Sequence, residues 1–445
     1  MEDFRSKSFW LGTAAYEPDP PLRGELRVDV AVVGGGFTGL SAALHLREAG
    51  TPEVAVLESD VVGFGASGRN AGFAMTLFGL TMSVTKRRFG AARAREAHQY
   101  MEKAVDYVGE LVEKHGIDCE YERPGFLRVA TTPAYVERIQ REIALAESLG
   151  LSGVEWLTRQ QVAERVRSPR YLGAWWEPRC ALVNPARLAW GLKRVASAKG
   201  VRFHECTPIG EIRRSGDGVR LSAPGAVVYA KKVVLATNAY SVRIPELRRK
   251  QVPLFTHVVL SEPLPAGRLE PIGWQGREGI EDARNLVHYY RLTRENRLLM
   301  GGGDVTLAYG ERLDYDLSDR VFGELERHVQ AVFPSLHGVG FTHRWGGPVS
   351  VPLDLAPALG FLGDERIVYS LGCMGHGVSL AHLNGRTLAD LLLGNRSDLT
   401  SVFFVNRRTL PWPPEPLRRI VSRALLGWFH AEDRWTDRNP SRTKR

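Results

Sequence analysis

Residues 27–58, RVDVAVVGGGFTGLSAALHLREAGTPEVAVLE, decide how the rest of the chain is read. Val28, Val30, Ala31, Val32 and Val33 make a short β-branched run of the length expected for a strand buried on both faces of a parallel sheet. Gly34, Gly36 and Gly39 follow as G-x-G-x-x-G. In that pattern the first glycine permits the turn, the second lets backbone approach a pyrophosphate, and the third lets the helix pack on the strand. A helix is predicted over 37–49, closed by Gly50, and a second strand over 53–57 with Glu58 at its tip, 19 residues beyond Gly39. The free N–H groups at the helix start favour phosphates, and a carboxylate at that distance accepts from an adenosine ribose while repelling a 2′-phosphate, which disfavours NADP. Strand, turn, helix and acid together imply dinucleotide binding, with Gly34, Gly36, Phe37, Thr38, Gly39, Glu58 and Ser59 as contacts.

The 445 residues suffice for two domains with full-sized cores, and 44% hydrophobic with 24% charged content is ordinary for a soluble globular enzyme. The longest apolar run, 30–44, is shorter than a bilayer span and contains the glycine turn, so no transmembrane segment is indicated. Residues 1–16 lack the basic-then-apolar order of a signal peptide, and a cytoplasmic location is expected. Cys119, Cys180, Cys206 and Cys373 have no C-x-x-C spacing, which argues against a disulfide framework and a metal site alike. Of the net charge of +9, +6 falls in residues 401–445, with ten Lys and Arg against four Asp and Glu. The other 400 residues are nearly balanced, so nucleic acid is not an expected partner.

Ahead of the first strand, Trp10 and the prolines at 18, 20 and 21 read as an arm laid on the body. The glycine-rich 61–73, with Arg69 and Asn70, implies backbone close to a ligand. Apolar spacing predicts helices over 90–115 and 133–148, and Asn184, Pro185 and Gly200 bracket another. KKVVLAT, 231–237, returns to the first sheet, while 245–344 changes to alternating strands such as 257–261, 288–292 and 297–300. A strand at 367–371, a glycine turn at 372–377 and a helix over 378–393 close the pattern. In the tail, Leu417, Ile420, Val421, Ala424 and Trp428 form an apolar stripe at helical spacing, expected to pack on the body, with membrane or partner docking as the alternative.

The chain resembles the flavin-dependent oxidoreductases of the D-amino-acid oxidase and glycine oxidase superfamily, and within it the gamma-glutamylputrescine oxidase group. The resemblance rests on VDVAVVGGGFTGLSAALHL, GFGASGRNAGF, VNPARLAWGL, VVLATNAYS, YYRLTRENRLLMGGGD, RWGGPVSVPLDLAPALG and LGCMGHGVSLAHLNGRTLADLL, and runs from Phe9 into the PWPPEPLRR tail. It implies an α/β fold: a Rossmann-type, glutathione-reductase-like FAD domain (1–85, 160–245, 345–400) with an inserted α+β substrate domain on an antiparallel sheet (86–159, 246–344) and a basic tail (401–445). It implies FAD as cofactor, with Ser67, Arg69, Asn70, Ala71 and Gly72 beside the flavin and Thr237 and Asn238 near it. The loop 65–72 has no histidine and the context of Cys373 does not match a flavin-bearing cysteine, so FAD is expected to be non-covalent.

The activity implied is oxidation of an amine or amino acid at its C–N bond by hydride transfer to flavin, followed by imine hydrolysis and reoxidation by O2 to H2O2. The alternatives are a dehydrogenase of the same fold passing electrons to a quinone or carrier protein, and a flavin- or partner-binding protein without turnover. The turn Gly375, His376, Gly377 opens a helix whose N-terminus favours developing negative charge. His376 is a candidate donor, and Tyr290 and Arg291 are candidates from the strand 288–292, where His288 and Tyr290 share one face and Tyr289 and Arg291 the other. Arg291 or Arg344 is a candidate clamp for a substrate carboxylate, and Lys250 and His257 are candidates for lending charge to oxygen reduction. Asp354 reads as structural.

Overall fold

Successive residues of Gly24–Val33 bury into different cores: Val30 and Val32 join one apolar cluster, Ala31 and Val33 another. That two-sided burial explains the unbroken β-branched run. The computed structural model describes residues 3–79 and 81–438. The last seven residues of the basic tail, 439–445, and Met1, Glu2 and Leu80 of the first expected segment lie outside them.

Gly24–Val33 sits at the centre of the first sheet. It pairs in parallel with Val54–Leu57 on one side and Ala226–Leu235 on the other, and the parallel set extends to Arg202–His204 and Asp364–Leu371. Phe37–Glu48, Pro185–Ala198 and Gly377–Leu393 pack with it. The strand expected at the KKVVLAT run starts earlier, at Ala226. Its first half forms a hairpin with Gly218–Ala223 and alternates in burial, so it lacks the continuous apolar signature of its second half.

The second sheet carries Val252–Pro263, Arg297–Gly302, His288–Leu292, Gly279–Asp282, Phe126–Ala130, Gly173–Glu177 and Glu155–Thr158 in that order, with Phe341–Val351 on Val252–Pro263. Its pairings are antiparallel except that of Gly279–Asp282 with Phe126–Ala130. The expected boundaries at 159/160 and 344/345 cut across this sheet, since Gly173–Glu177 and all of Phe341–Val351 pair within it. Asp319–Val332 is a helix the strand-like character of 245–344 conceals; Val321, Leu325, Val329 and Val332 bury one side of it. The architecture is α/β, with the parallel sheet and the largely antiparallel one meeting at a large cavity.

The N-terminal arm lies on the body as expected. Trp10 is fully buried, and Tyr16 Oη donates to Glu205 Oε1 at 2.6 Å, while Lys193 Nζ donates to the other carboxylate oxygen at 2.6 Å.

Candidate active site

Gly34 ends its strand at φ +107°, a conformation open to glycine. A Cβ on Gly39 would stand 2.0 Å from the Gly34 carbonyl oxygen, so the third glycine exists to let Phe37–Glu48 close onto the turn rather than to touch a ligand. Gly39 accordingly does not line the cavity, whereas Gly34, Gly36, Phe37 and Thr38 do. Glu58 reaches back across the turn: Oε2 accepts from Gly35 N at 2.6 Å, and Oε1 from Asp60 N and Ser59 Oγ at 3.0 Å each. Burial raises its pKa, against the pull of those three bonds. Glu58 and Ser59 both line the cavity.

The glycine-rich loop is tied to itself. Ser67 Oγ accepts from Phe37 N at 3.0 Å, Asn70 Nδ2 donates to the carbonyls of Ala66 and Ser67, and Asn70 Oδ1 accepts from Gly72 N at 2.7 Å. Arg69 is 4% exposed and held by Asp316 Oδ1 at 2.9 Å and the Phe64 carbonyl at 2.7 Å. Ser67, Arg69, Asn70 and Ala71 line the cavity; Gly72, at φ +79°, lies behind them against the Val183 carbonyl.

Opposite, Gly375, His376 and Gly377 present the start of Gly377–Leu393, and Thr237 and Asn238 complete the wall. The cavity measures about 1020 Å³. Two buried polar atoms of its lining, Asn238 Oδ1 and His376 Nδ1, have no partner in the fold. Unpartnered buried polar groups are costly, and here they point to a polar ligand that completes them. A glycine turn opening a helix at one end and these unpartnered groups at the other fit a dinucleotide carrying a heteroaromatic ring. Burial, then the Arg128 charge, lowers the His376 pKa to about 4, so its imidazole is neutral near pH 7. Burial pushes the Cys373 thiol up to about 12.

The wall from the second sheet departs from expectation. Tyr289 lines the cavity, as the shared face of Tyr289 and Arg291 allows, but Arg291 lies deeper. Its guanidinium donates to the Val183 carbonyl at 2.8 Å and the Ala71 carbonyl at 3.4 Å, and stands over the Trp10 ring, 5.6 Å from its centroid. It braces the loop from behind. Tyr290 faces the far side, sharing a 2.6 Å hydrogen bond with Tyr171 in a cluster with Trp274 and Phe333. Neither reaches the cavity, so the reacting-end roles expected of Tyr290 and Arg291 are not available to them. Arg344 pairs with Glu326 at 2.6 Å, Lys250 donates to Thr409 at 3.3 Å, and His257 is buried against the Tyr315 carbonyl. None of these three lines the cavity. Asp354 is engaged by Arg407.

The residue that sequence reasoning missed is Glu281. It lines the cavity, is 3% exposed, and receives Arg128 Nη2 at 2.7 Å and Nε at 2.9 Å, both on Oε1. Glu281 stands in register with Arg128 on one side and Tyr289 on the other, which puts all three on one face of the sheet. Burial raises its pKa more than Arg128 lowers it. Elsewhere, Asp282, His288 and His328 bring three ligand atoms within 4.8 Å, but Arg284 Nη1 already meets Asp282 Oδ2 at 2.5 Å.

Residues 29–391 match the family model for FAD dependent oxidoreductase, DAO. The chain is 34% identical over 440 residues to gamma-glutamylputrescine oxidoreductase of Escherichia coli, covering 98% of this chain and 99% of the relative. It is 27% identical over 381 residues to glycine oxidase of Bacillus licheniformis, covering 83% and 94%. Glycine oxidase of Geobacillus kaustophilus superposes with a TM-score of 0.72 at 24% identity, over 86% of this chain and all of the other. A family model that matches most of the chain, and a relative above 30% identity that matches nearly all of it, account for the glycine turn, the loop behind it and the closing helix together: the chain belongs to the DAO family of FAD dependent oxidoreductases, and FAD is its cofactor.

Proposed function

We propose that the protein oxidises the C–N bond of a cationic alkylamine of the kind named in its Escherichia coli relative, gamma-glutamylputrescine, with FAD held non-covalently and O2 as final acceptor. One observation carries the substrate reading. Between residues 252 and 351 the cavity is lined by two carboxylates, Glu281 and Glu311, and by no Lys or Arg. Arg128 occupies Glu281 Oε1 and leaves Oε2 for an ammonium group, and this stretch lines the cavity with no guanidinium of the kind that clamps a plain amino acid's carboxylate.

FAD, when bound, supplies the two-electron acceptor for the C–N bond. Glu281 holds the substrate's ammonium, and Tyr289, its partner in strand register, and Phe73, edge-on to Tyr289 at 6.0 Å, line the cavity beside it and exclude water. The start of Gly377–Leu393, with the neutral His376 as a hydrogen-bonding group, favours negative charge that develops beside it. The imine product takes up water to give an aldehyde and ammonia. Four free cysteines support a reducing, cytoplasmic compartment. No helix among the described residues is long and apolar enough to cross a membrane.

The test is an anaerobic visible spectrum during addition of gamma-glutamylputrescine, of simpler diamines, and of plain and N-methyl amino acids. Bleaching of the flavin band by the amines, with fast recovery in air, is the expected result. Bleaching by amino acids alone overturns the substrate reading, and slow recovery in air transfers the acceptor to a quinone or carrier protein.

A further inference from the structure

The tail helix, Leu417–Arg438, is built inside out. Its fully buried residues are polar: Arg418, Ser422, Asp433 and Thr436. Asp433 accepts from Asn285 N at 2.9 Å and Leu286 N at 3.0 Å, His430 meets Asp304 at 2.9 Å, and Arg418 Nη2 donates to the Gly310 carbonyl at 3.2 Å. The apolar stripe faces solvent. Leu417, Ile420 and Trp428 are 51%, 60% and 60% exposed, and Ala424 and Ala431 continue the line. Spacing of three and four residues makes this one straight stripe of roughly 21 Å. Val421, at its edge, packs on the body, against the cluster of Val252, Val351 and Trp412. The expectation that the stripe packs on the protein itself is therefore replaced by a stripe left outward.

Charge decides what covers it. Every acid of the helix is paired with a group of the body: Glu432 to Arg138 at 3.0 Å, Asp433 to Asn285 and Leu286, and the exposed Asp437 to Arg284 at 3.1 Å. The exposed basic residues around the stripe are Arg419, Arg423, Arg434 and Arg438, and the sequence continues through Arg442, Lys444 and Arg445. An apolar stripe with tryptophan, flanked by unopposed arginines, has the composition of a helix lying in the interface of a membrane. A second copy of this chain would bring the same arginines against themselves.

We propose that the outer face of Leu417–Arg438 docks on an anionic lipid membrane, with the helix in the plane of the interface. Asn285 and Leu286, which the helix clamps, line the cavity, so docking brings the cavity rim to the lipid surface. The inference does not depend on which amine is oxidised.

The test uses the full chain with FAD bound and sedimentation with vesicles of phosphatidylcholine, with and without a third phosphatidylglycerol. The protein is expected to sediment with the anionic vesicles and not the neutral ones, and to be released by salt. Ile420→Asp with Trp428→Asp is expected to weaken binding about tenfold or more, since two exposed apolar side chains lose their lipid contact, while the flavin spectrum stays intact. Failure to bind anionic vesicles at low salt, or binding unchanged in the double variant, overturns the proposal. So does a stable dimer in solution that the same variant dissociates, which would assign the stripe to a second copy.

Discussion

Arg128 holds Glu281 by a single oxygen, Oε1, receiving two guanidinium donors within 3.0 Å, and the pair stands in register with Tyr289 at the edge of the cavity. A carboxylate anchored in this way is oriented before any substrate arrives. Glu281→Gln keeps the shape and removes the charge. We expect KM for a cationic amine to rise about tenfold or more, the loss of one charge-assisted hydrogen bond, with FAD content unchanged. Steady-state kinetics on the flavin-replete variant checks this, and an unchanged KM excludes Glu281 from substrate binding.

Arg291 braces the Ala71–Val183 junction from behind, with no carboxylate among its hydrogen-bond partners. Arg291→Met leaves those carbonyls without a donor. Thermal unfolding should show a loss of about 2 kcal/mol or more, because hydrogen bonds to a buried charged group are lost. Flavin retention on dilution should fall as the loop carrying Ser67 to Ala71 loosens. Loss of turnover at full stability and full flavin content would instead mean that Arg291 meets the substrate.

Gly39→Ala puts a methyl group 2.0 Å from the Gly34 carbonyl oxygen, and backbone on both sides leaves no room to yield. The purified variant should lack bound flavin. Gly267→Ala, with nothing within 4 Å and no positive φ, is the matching control and should be yellow.

Glu177 is buried, its Oε2 accepting from Thr76 Oγ1 at 2.9 Å and from Trp175 Nε1 at 3.4 Å. Burial lifts its pKa from 4.5 to about 7 against those two bonds. A raised folded-state pKa means the native chain holds a proton that the unfolded chain has released, so the contribution is whole below 4.5 and is lost as pH rises through about 7. Glu177→Gln removes that loss. The difference in Tm, variant minus parent, should grow from pH 4.5 to 7 and then level off; a flat difference would show that Glu177 is ionised throughout.

Local patterns carried the dinucleotide half of the site. Gly34 to Glu58 lies within one βαβ unit, so spacing alone brings its parts together, and the loop 63–72 announces itself by its glycines. The substrate half is made by pairing across the sheet. Glu281 and Arg128 are 153 residues apart and adjacent only through strand register, and nothing in GIEDAR marks a cavity wall. The alternation of 288–292 correctly separated Tyr289 and Arg291 from Tyr290. Period two says which residues share a face, but not which face meets a ligand or how deep along it the cavity reaches. The tail stripe was visible for the same reason the helix was, through its spacing; its outward direction depends on Asp433 finding the backbone of Asn285 and Leu286.

Gly377–Leu393 packs against Phe37–Glu48 so closely that a Cβ on Gly385 would stand 2.5 Å from the Thr38 carbonyl oxygen, and Ser41 Oγ donates to the His382 carbonyl at 2.6 Å. The first-made helix of the nucleotide turn therefore finds its neighbour only when the ribosome has passed residue 393. A nascent or prematurely terminated chain has the glycine turn but no closing wall, and with it an uncovered apolar flank on Phe37–Glu48.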